Sequence, residues 1–153
     1  MIMKLVIISD SHGNIANLKH VLGFAKKIKT KAVIHCGDWD NLRAVKIVYS
    51  YKIPVYGVLG NADIDPRIAK IVNGQWLNIK LGKRKVGIVH NLAISPQPLA
   101  IDCDVVFCGH RHFKGEKIIN GVKIVHSGAL HSNEPSFAVY DTVANKVEFI
   151  DLL

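Results

Sequence analysis

The chain has 153 residues, 49% hydrophobic and 21% charged, a balance that excludes a disordered chain and suits one globular domain over residues 1–153. Its formal net charge is +8, from 20 Lys and Arg against 12 Asp and Glu, an excess that can attract nucleic acid, a membrane surface or a small anion. The lysines are spread thinly, and the dense runs "KKIKTK" (26–31) and "GKRK" (82–85) carry no interleaved aromatics. A solvated basic surface is therefore preferred over a nucleic-acid footprint.

In chain order, "MIMKLVIISDSHGN" has a short apolar run followed at once by Asp10 and His12. It lacks the charged, apolar and small-residue order of a signal peptide and reads as a first strand. No apolar stretch reaches the length of a membrane span. Residues 14–28 place Ile15, Leu18, Leu22, Ala25 and Ile28 on one helical face, with Asn14 as cap. Residues 40–50 form a second, shorter helix that closes before Pro54. "WLNIKLGKRKVGIV" has hairpin form, and "EKIINGVKIVHSG" has an Asn-Gly turn between two runs. "SFAVYD" and "KVEFIDLL" then alternate around "TVANK". Cys36, Cys103 and Cys108 are odd in number and fit no C-x-x-C pattern. They read as reduced core thiols of a cytoplasmic protein.

One grammar recurs five times: an apolar, β-branched run ends and a polar cluster follows at once. The runs are "KLVIISDSH", "AVIHCGD", "PVYGVLGNAD", "KVGIVHN" and "VVFCGHRH". Continuous apolar runs of this kind predict strands buried on both faces. The steps from Asp10 to Asp38, Asn61, His90 and His110 are 28, 23, 29 and 20 residues, long enough for crossover connections. The first three strands are thus expected to be parallel. Ligands gather outside the carboxyl ends of such strands, so the five clusters should converge.

Each cluster also has a plainer reading. Asp10 and Asp38 suit helix caps, Asn61 a left-handed turn and His90 a hydrogen-bonded core histidine. Taken together, Asp10, His12, Asp38, Asn61, His90, His110 and His112 are too many polar groups for one buried rim without a cation. Two divalent metals resolve this, with Asp38 as the bridging carboxylate. The donors are all nitrogen or oxygen, which favours Mn, with Ni, Fe and Zn as alternatives.

D-x-H at 10–12, G-D at 37–38, G-N-x-D at 60–63, His90 and G-H-x-H at 109–112 resemble, in that order, the calcineurin-like metallophosphoesterases. The likeness to their small stand-alone phosphodiesterases covers essentially the whole chain. It implies a four-layer α-β-β-α sandwich of two mixed sheets flanked by helices. It implies Asp10, His12, Asp38 and His112 around one metal, and Asp38, Asn61, His90 and His110 around the other. Asp38, Asn61 and Asp63 are then the catalytic set, in an enzyme that hydrolyses small or nucleotide-like phosphodiesters with a metal-bridging hydroxide as nucleophile. Arg111 touches substrate or points to solvent.

Three departures from the family pattern stand out. Ala62 takes the place where many relatives carry a histidine that protonates the leaving group, so esters that leave without help should be preferred. Asn91 and Leu92 replace the usual Gly-His after His90, and His126 and Ser127 stand where Asn and Pro are usual before Gly128. The alternatives are a protein-binding scaffold of the same fold, like the retromer subunit, or a nuclease. The expected partner is a small phosphodiester, with neither membrane nor nucleic acid, and a homo-oligomer is left open.

Overall fold

The computed structural model describes residues 3–94 and 102–152. The chain runs from β1 (Lys4–Ile8) through α1 (Ile15–Lys27) to β2 (Ala32–His35), then through α2 (Leu42–Ser50) to β3 (Val55–Gly57). Both pairings are parallel, as the spacing requires. Asn14 caps α1 by accepting the Asn17 amide, and Lys26 and Lys27 lie in its last turn, where the helix dipole favours cations. Asn41, whose side chain accepts the Ala44 amide, caps α2. Neither Asp10 nor Asp38 is a cap, which leaves both carboxylates for another use.

After α3 (Pro66–Ala69) come the hairpin β4 (Trp76–Leu81) and β5 (Arg84–Val89), a 3-10 turn at Leu92–Ile94 and β6 (Val105–Cys108). The hairpin β7 (Lys114–Ile119) and β8 (Val122–Ser127) follows. It turns at Asn120 and Gly121, both with positive φ (49° and 81°), as a two-residue type I′ loop demands. The last hairpin, β9 (Ser136–Asp141) and β10 (Lys146–Asp151), returns to pair β9 antiparallel with β1. Two mixed five-stranded sheets result, in the orders β10-β9-β1-β2-β3 and β4-β5-β6-β8-β7.

Alternation along β1 explains its unbroken apolar run. Leu5 and Ile7 point between the sheets, where they meet Ile34, Ile88, Phe107 and Tyr140. Val6 and Ile8 point the other way, onto Leu18, Val21 and Leu22 of α1 and Val45 and Val48 of α2. The second sheet buries Val89, Val106, Cys108, Val122 and Ile124 on its outer face against Cys103 and Leu92. Among the described residues, the only helical element on that side is the 3-10 turn. All three cysteines are buried.

The consequence for function is directional. β1, β2 and β3 run the same way, and so do β5, β6 and β8. The ends of β1, β2 and β3 in one sheet and of β5 and β6 in the other carry the residues that meet on one rim.

Candidate metal centre

The rim is assembled by pairs that cross from one sheet to the other. His112 Nε2, beyond β6, stands 3.1 Å from Asp10 Oδ1, beyond β1. His90 Nε2, at the end of β5, is 3.3 Å from Asp38 Oδ2 and 2.9 Å from Asn61 Oδ1. His110 Nδ1 approaches the same Asn61 oxygen at 3.1 Å. His12, from the first sheet, lies between the carboxylates, with Nε2 3.9 Å from Asp10 Oδ1 and 3.6 Å from Asp38 Oδ2. All seven residues expected from the sequence are thus brought together. Arg111, between His110 and His112, is exposed.

Backbone conformation aims these side chains. Asp10, His12, Asp38, His110 and His112 have φ of 52°, 41°, 62°, 73° and 61°, left-handed values that cost non-glycine residues roughly 1–2 kcal/mol each. Asn61, for which a left-handed turn was the plainer reading, is not among the positive-φ residues. Close approach sets two glycines. A Cβ on Gly60 would overlap Asp38 Oδ1 and the Asp38 amide, and one on Gly109 would overlap Ser9 Oγ and Asp10 Oδ2.

Backbone and side-chain donors hold the two buried carboxylates. Ser9 Oγ and the His110 amide donate to Asp10 Oδ2. The Ala62 amide donates to Asp38 Oδ1 at 2.8 Å. Burial alone would push the Asp38 carboxyl up. The hydrogen bonds from His90 and the Ala62 amide outweigh it and hold the group at about 2. Burial likewise pulls His90 down, and the Asp38 carboxylate outweighs that and raises it. Asp63 accepts the amides of Asp38, Gly60 and Asp40 at 2.8–2.9 Å. With both oxygens committed to backbone, Asp63 clamps the Asp38 loop to the Gly60 loop.

The donor set fits divalent cations. His12 Nε2 is buried and has no hydrogen-bond partner, though two carboxylate oxygens stand under 4 Å away. Two donors that share an ion at ~2.1 Å stand roughly 3–3.5 Å apart, close to the separations found here. Asp10, His12 and His112 form one such cluster and Asp10, Asp38 and His90 another. His90 Nδ1 donates to the Cys36 carbonyl at 2.9 Å, so Nε2 is the nitrogen that would turn a lone pair to a cation once its own proton is displaced, as a metal-bound histidine requires.

One structural histidine carried no signal in the motif. His35 is fully buried, stacked on Trp39 at 3.7 Å, with its Nε2 2.9 Å from Ser11 Oγ and its Nδ1 accepting the Gly37 amide at 3.1 Å. It ties the Asp10–His12 loop to the Gly37–Asp38 loop. Its position within "AVIHCGD" looks like any strand end, and only the fold reveals the tie. His131 was equally silent; its amide donates to the Asp10 carbonyl and its ring lies 6.1 Å from that of His12.

Two measurements test this geometry. In metal-free protein, His112→Gly should be more stable than His112→Ala by about 1 kcal/mol, read by urea denaturation, because only the alanine keeps the left-handed strain. Equal stabilities would remove that strain from the account. Burial, the first of several causes, lowers His35 to about 3. Its folded pKa thus lies below the unfolded value, so the stability it contributes is present above pH ~6.5 and is lost as pH falls toward 3. Metal-free His35→Gln should lose less stability than the parent between pH 6.5 and 4.5, the difference approaching about 1.4 kcal/mol per pH unit. Parallel pH profiles would show that His35 is not buried neutral.

Residues 3–145 match the model of the calcineurin-like phosphoesterase superfamily domain. A phosphodiesterase of Methanocaldococcus jannaschii is 24% identical over 155 aligned positions, covering 92% of this chain and 93% of that protein. Among solved structures, an archaeal phosphodiesterase superposes with a TM-score of 0.85 at 23% identity, covering 98% of this chain and all of the other. Vacuolar protein sorting 29 of Cryptosporidium parvum shares the fold at a TM-score of 0.71 and 20% identity, over 99% of this chain and 97% of that one. With its motifs gathered on one rim and its family model matched over nearly the full length, the chain belongs to the calcineurin-like phosphoesterase superfamily.

Proposed function

We propose that the chain is a metal-dependent phosphoric diester hydrolase acting on small or nucleotide-like phosphodiesters, with two divalent ions, Mn in preference to Ni, Fe or Zn. The observation that carries this reading is the position of Asp38 Oδ2, 3.3 Å from His90 Nε2 and 3.6 Å from His12 Nε2. One carboxylate oxygen thus faces imidazoles from two different ligand groups. Asp10, His12, Asp38 and His112 would hold one ion; Asp38, Asn61, His90 and His110 would hold the other. Such ions, when bound, supply an activated water and neutralise phosphoryl charge.

The chain's own residues do the rest. Asp38 is held ionised by the Ala62 amide and His90, ready to bridge. The Cys36 carbonyl fixes the His90 tautomer. Asp63 positions the Asp38 and Gly60 loops through three backbone amides and touches no reacting atom. Ala62 contributes its amide and no proton donor, so departure of the leaving group depends on the leaving group's own acidity.

A scaffold role is the second reading. Ile118 and Ile119 are 64% and 41% exposed on β7, an edge strand, and such apolar exposure favours a protein partner. Turnover separates the two readings.

Metal-loaded protein should hydrolyse bis(p-nitrophenyl) phosphate, and Asp38→Asn should lower both bound metal and rate, the rate by about 100-fold or more. An inert metal-loaded protein, or an Asp38→Asn variant unchanged in metal content and rate, would sink the enzyme reading. Alkyl monoesters should be poor substrates, and Ala62→His should raise their turnover at least ~10-fold. No gain would mean that proton donation does not limit the reaction.

A further inference from the structure

A cavity of about 510 Å³ opens directly off the centre. Asn61, His90 and His110 form its inner wall, and Trp76, Gln75 and Asn91 belong to the lining beyond them. Trp76 reaches this place through register. It is the first residue of β4 and pairs with Val89, the last residue of β5, so the hairpin brings it opposite the residue before His90, and both line the cavity. The indole is 46% exposed. The other tryptophan, Trp39, is fully buried and donates to the Val58 carbonyl. Core packing therefore accounts for one tryptophan and leaves the other at the edge of the cavity.

Charge narrows what the cavity accepts. The chain carries 20 Lys and Arg, yet no Lys, Arg, Asp or Glu is among the described residues lining this cavity. A second phosphate would find no cation there, and an ammonium headgroup no carboxylate. On the His112 side of the centre the pattern reverses. A cavity of about 840 Å³ there is lined by Lys114, Glu134 and Asp151 among others, and Lys114 pairs with Asp151. The two flanks of the centre thus differ in kind, one uncharged and aromatic, the other ionic.

We propose that the Trp76 cavity is a nucleobase subsite, so that the substrate is a nucleoside-bearing phosphodiester whose base stacks on Trp76. Gln75 offers a carboxamide donor and acceptor and Asn91, whose oxygen accepts the Ala93 amide, an NH2 donor for the edge of a base, while Leu59, Val89 and Ile94 provide the apolar wall. A volume of this size lies within the range of small-molecule sites and admits a base with its sugar. Stacking on an aromatic face tolerates any base, so selectivity should be for the presence of a base more than for its identity. The inference rests on the phosphodiesterase reading of the centre and adds the class of group attached to phosphorus.

The test compares two esters with one leaving group, thymidine 5′-(p-nitrophenyl phosphate) and methyl p-nitrophenyl phosphate, on Mn-loaded protein. The thymidine ester should show the lower KM. Trp76→Ala should raise that KM roughly ten-fold and leave kcat/KM for the methyl ester within about twofold, with Trp76→Phe recovering most of the loss. Equal KM values in the parent, or an equal loss on both esters in Trp76→Ala, would overturn the subsite. If neither ester is hydrolysed, the phosphodiesterase reading fails, and binding then decides the subsite by itself. Adenosine 5′-monophosphate should quench the exposed-tryptophan emission of the parent but not of Trp76→Phe, and inorganic phosphate should quench neither. Absence of quenching by the nucleotide, or equal quenching by phosphate, overturns the proposal.

Discussion

Two carboxylates, Asp10 and Asp38, lie at the seam between the sheets with 0% and 2% exposure, and the rest of the rim is arranged around giving both of them hydrogen-bond and imidazole partners. A buried anion with no partner neutralises itself or destabilises the fold. Here each is met from both sides. The first sheet supplies neighbouring hydroxyl and amide donors, such as Ser9 Oγ for Asp10 and the Ala62 amide for Asp38. The second sheet supplies imidazoles, His112 for Asp10 and His90 for Asp38. Acids come from one sheet and most of the bases from the other, so the centre is also where the two sheets are joined by polar contacts. Any cation bound there strengthens that join, and occupancy and stability become linked.

That arrangement sets what the backbone must tolerate. A strand ends with its side chains alternating to opposite faces, which cannot by itself send two residues such as Asp10 and His12 to one point. Left-handed φ at the strand ends re-aims them, and glycines at 60 and 109 let the loops close over the carboxylates. His35 and Asp63 hold loop to loop. Strain at the ligands and rigidity behind them are two parts of one device, because a strained turn persists only when its surroundings over-determine it.

Much of this was legible in the sequence. Apolar runs ending in polar clusters gave the strand ends, the crossover spacing gave parallel order, and the ordered motifs gave the seven rim residues. Legibility failed where long-range packing decides. Asn61 invited a turn reading because asparagine tolerates left-handed φ, yet Asp10, His12 and Asp38 adopt that conformation and Asn61 does not. Asp63 was expected in the catalytic set, whereas its oxygens accept amides 23 and 25 residues away and the Gly60 amide. Trp76 had no motif around it, since its place opposite Val89 depends on hairpin register. The helices predicted near 14–28 and 40–50 held because both carry local caps, Asn14 and Asn41.

The tripeptide Asn61-Ala62-Asp63 joins these themes. Asn61 turns its oxygen to two imidazoles of the other sheet. Ala62 gives only its amide, to the Asp38 carboxylate. Asp63 pins that carboxylate's own backbone. Every polar atom the three offer in these contacts is used to hold ligands in place, so the segment is specialised for assembly rather than proton transfer. As the proposed hydrolase, a centre built in this way would stabilise charge on phosphorus well and assist the leaving oxygen poorly. Under the diesterase reading proposed above, selectivity would come from the two unlike cavities beside the centre, where an uncharged aromatic wall and an ionic one would meet different arms of the ester.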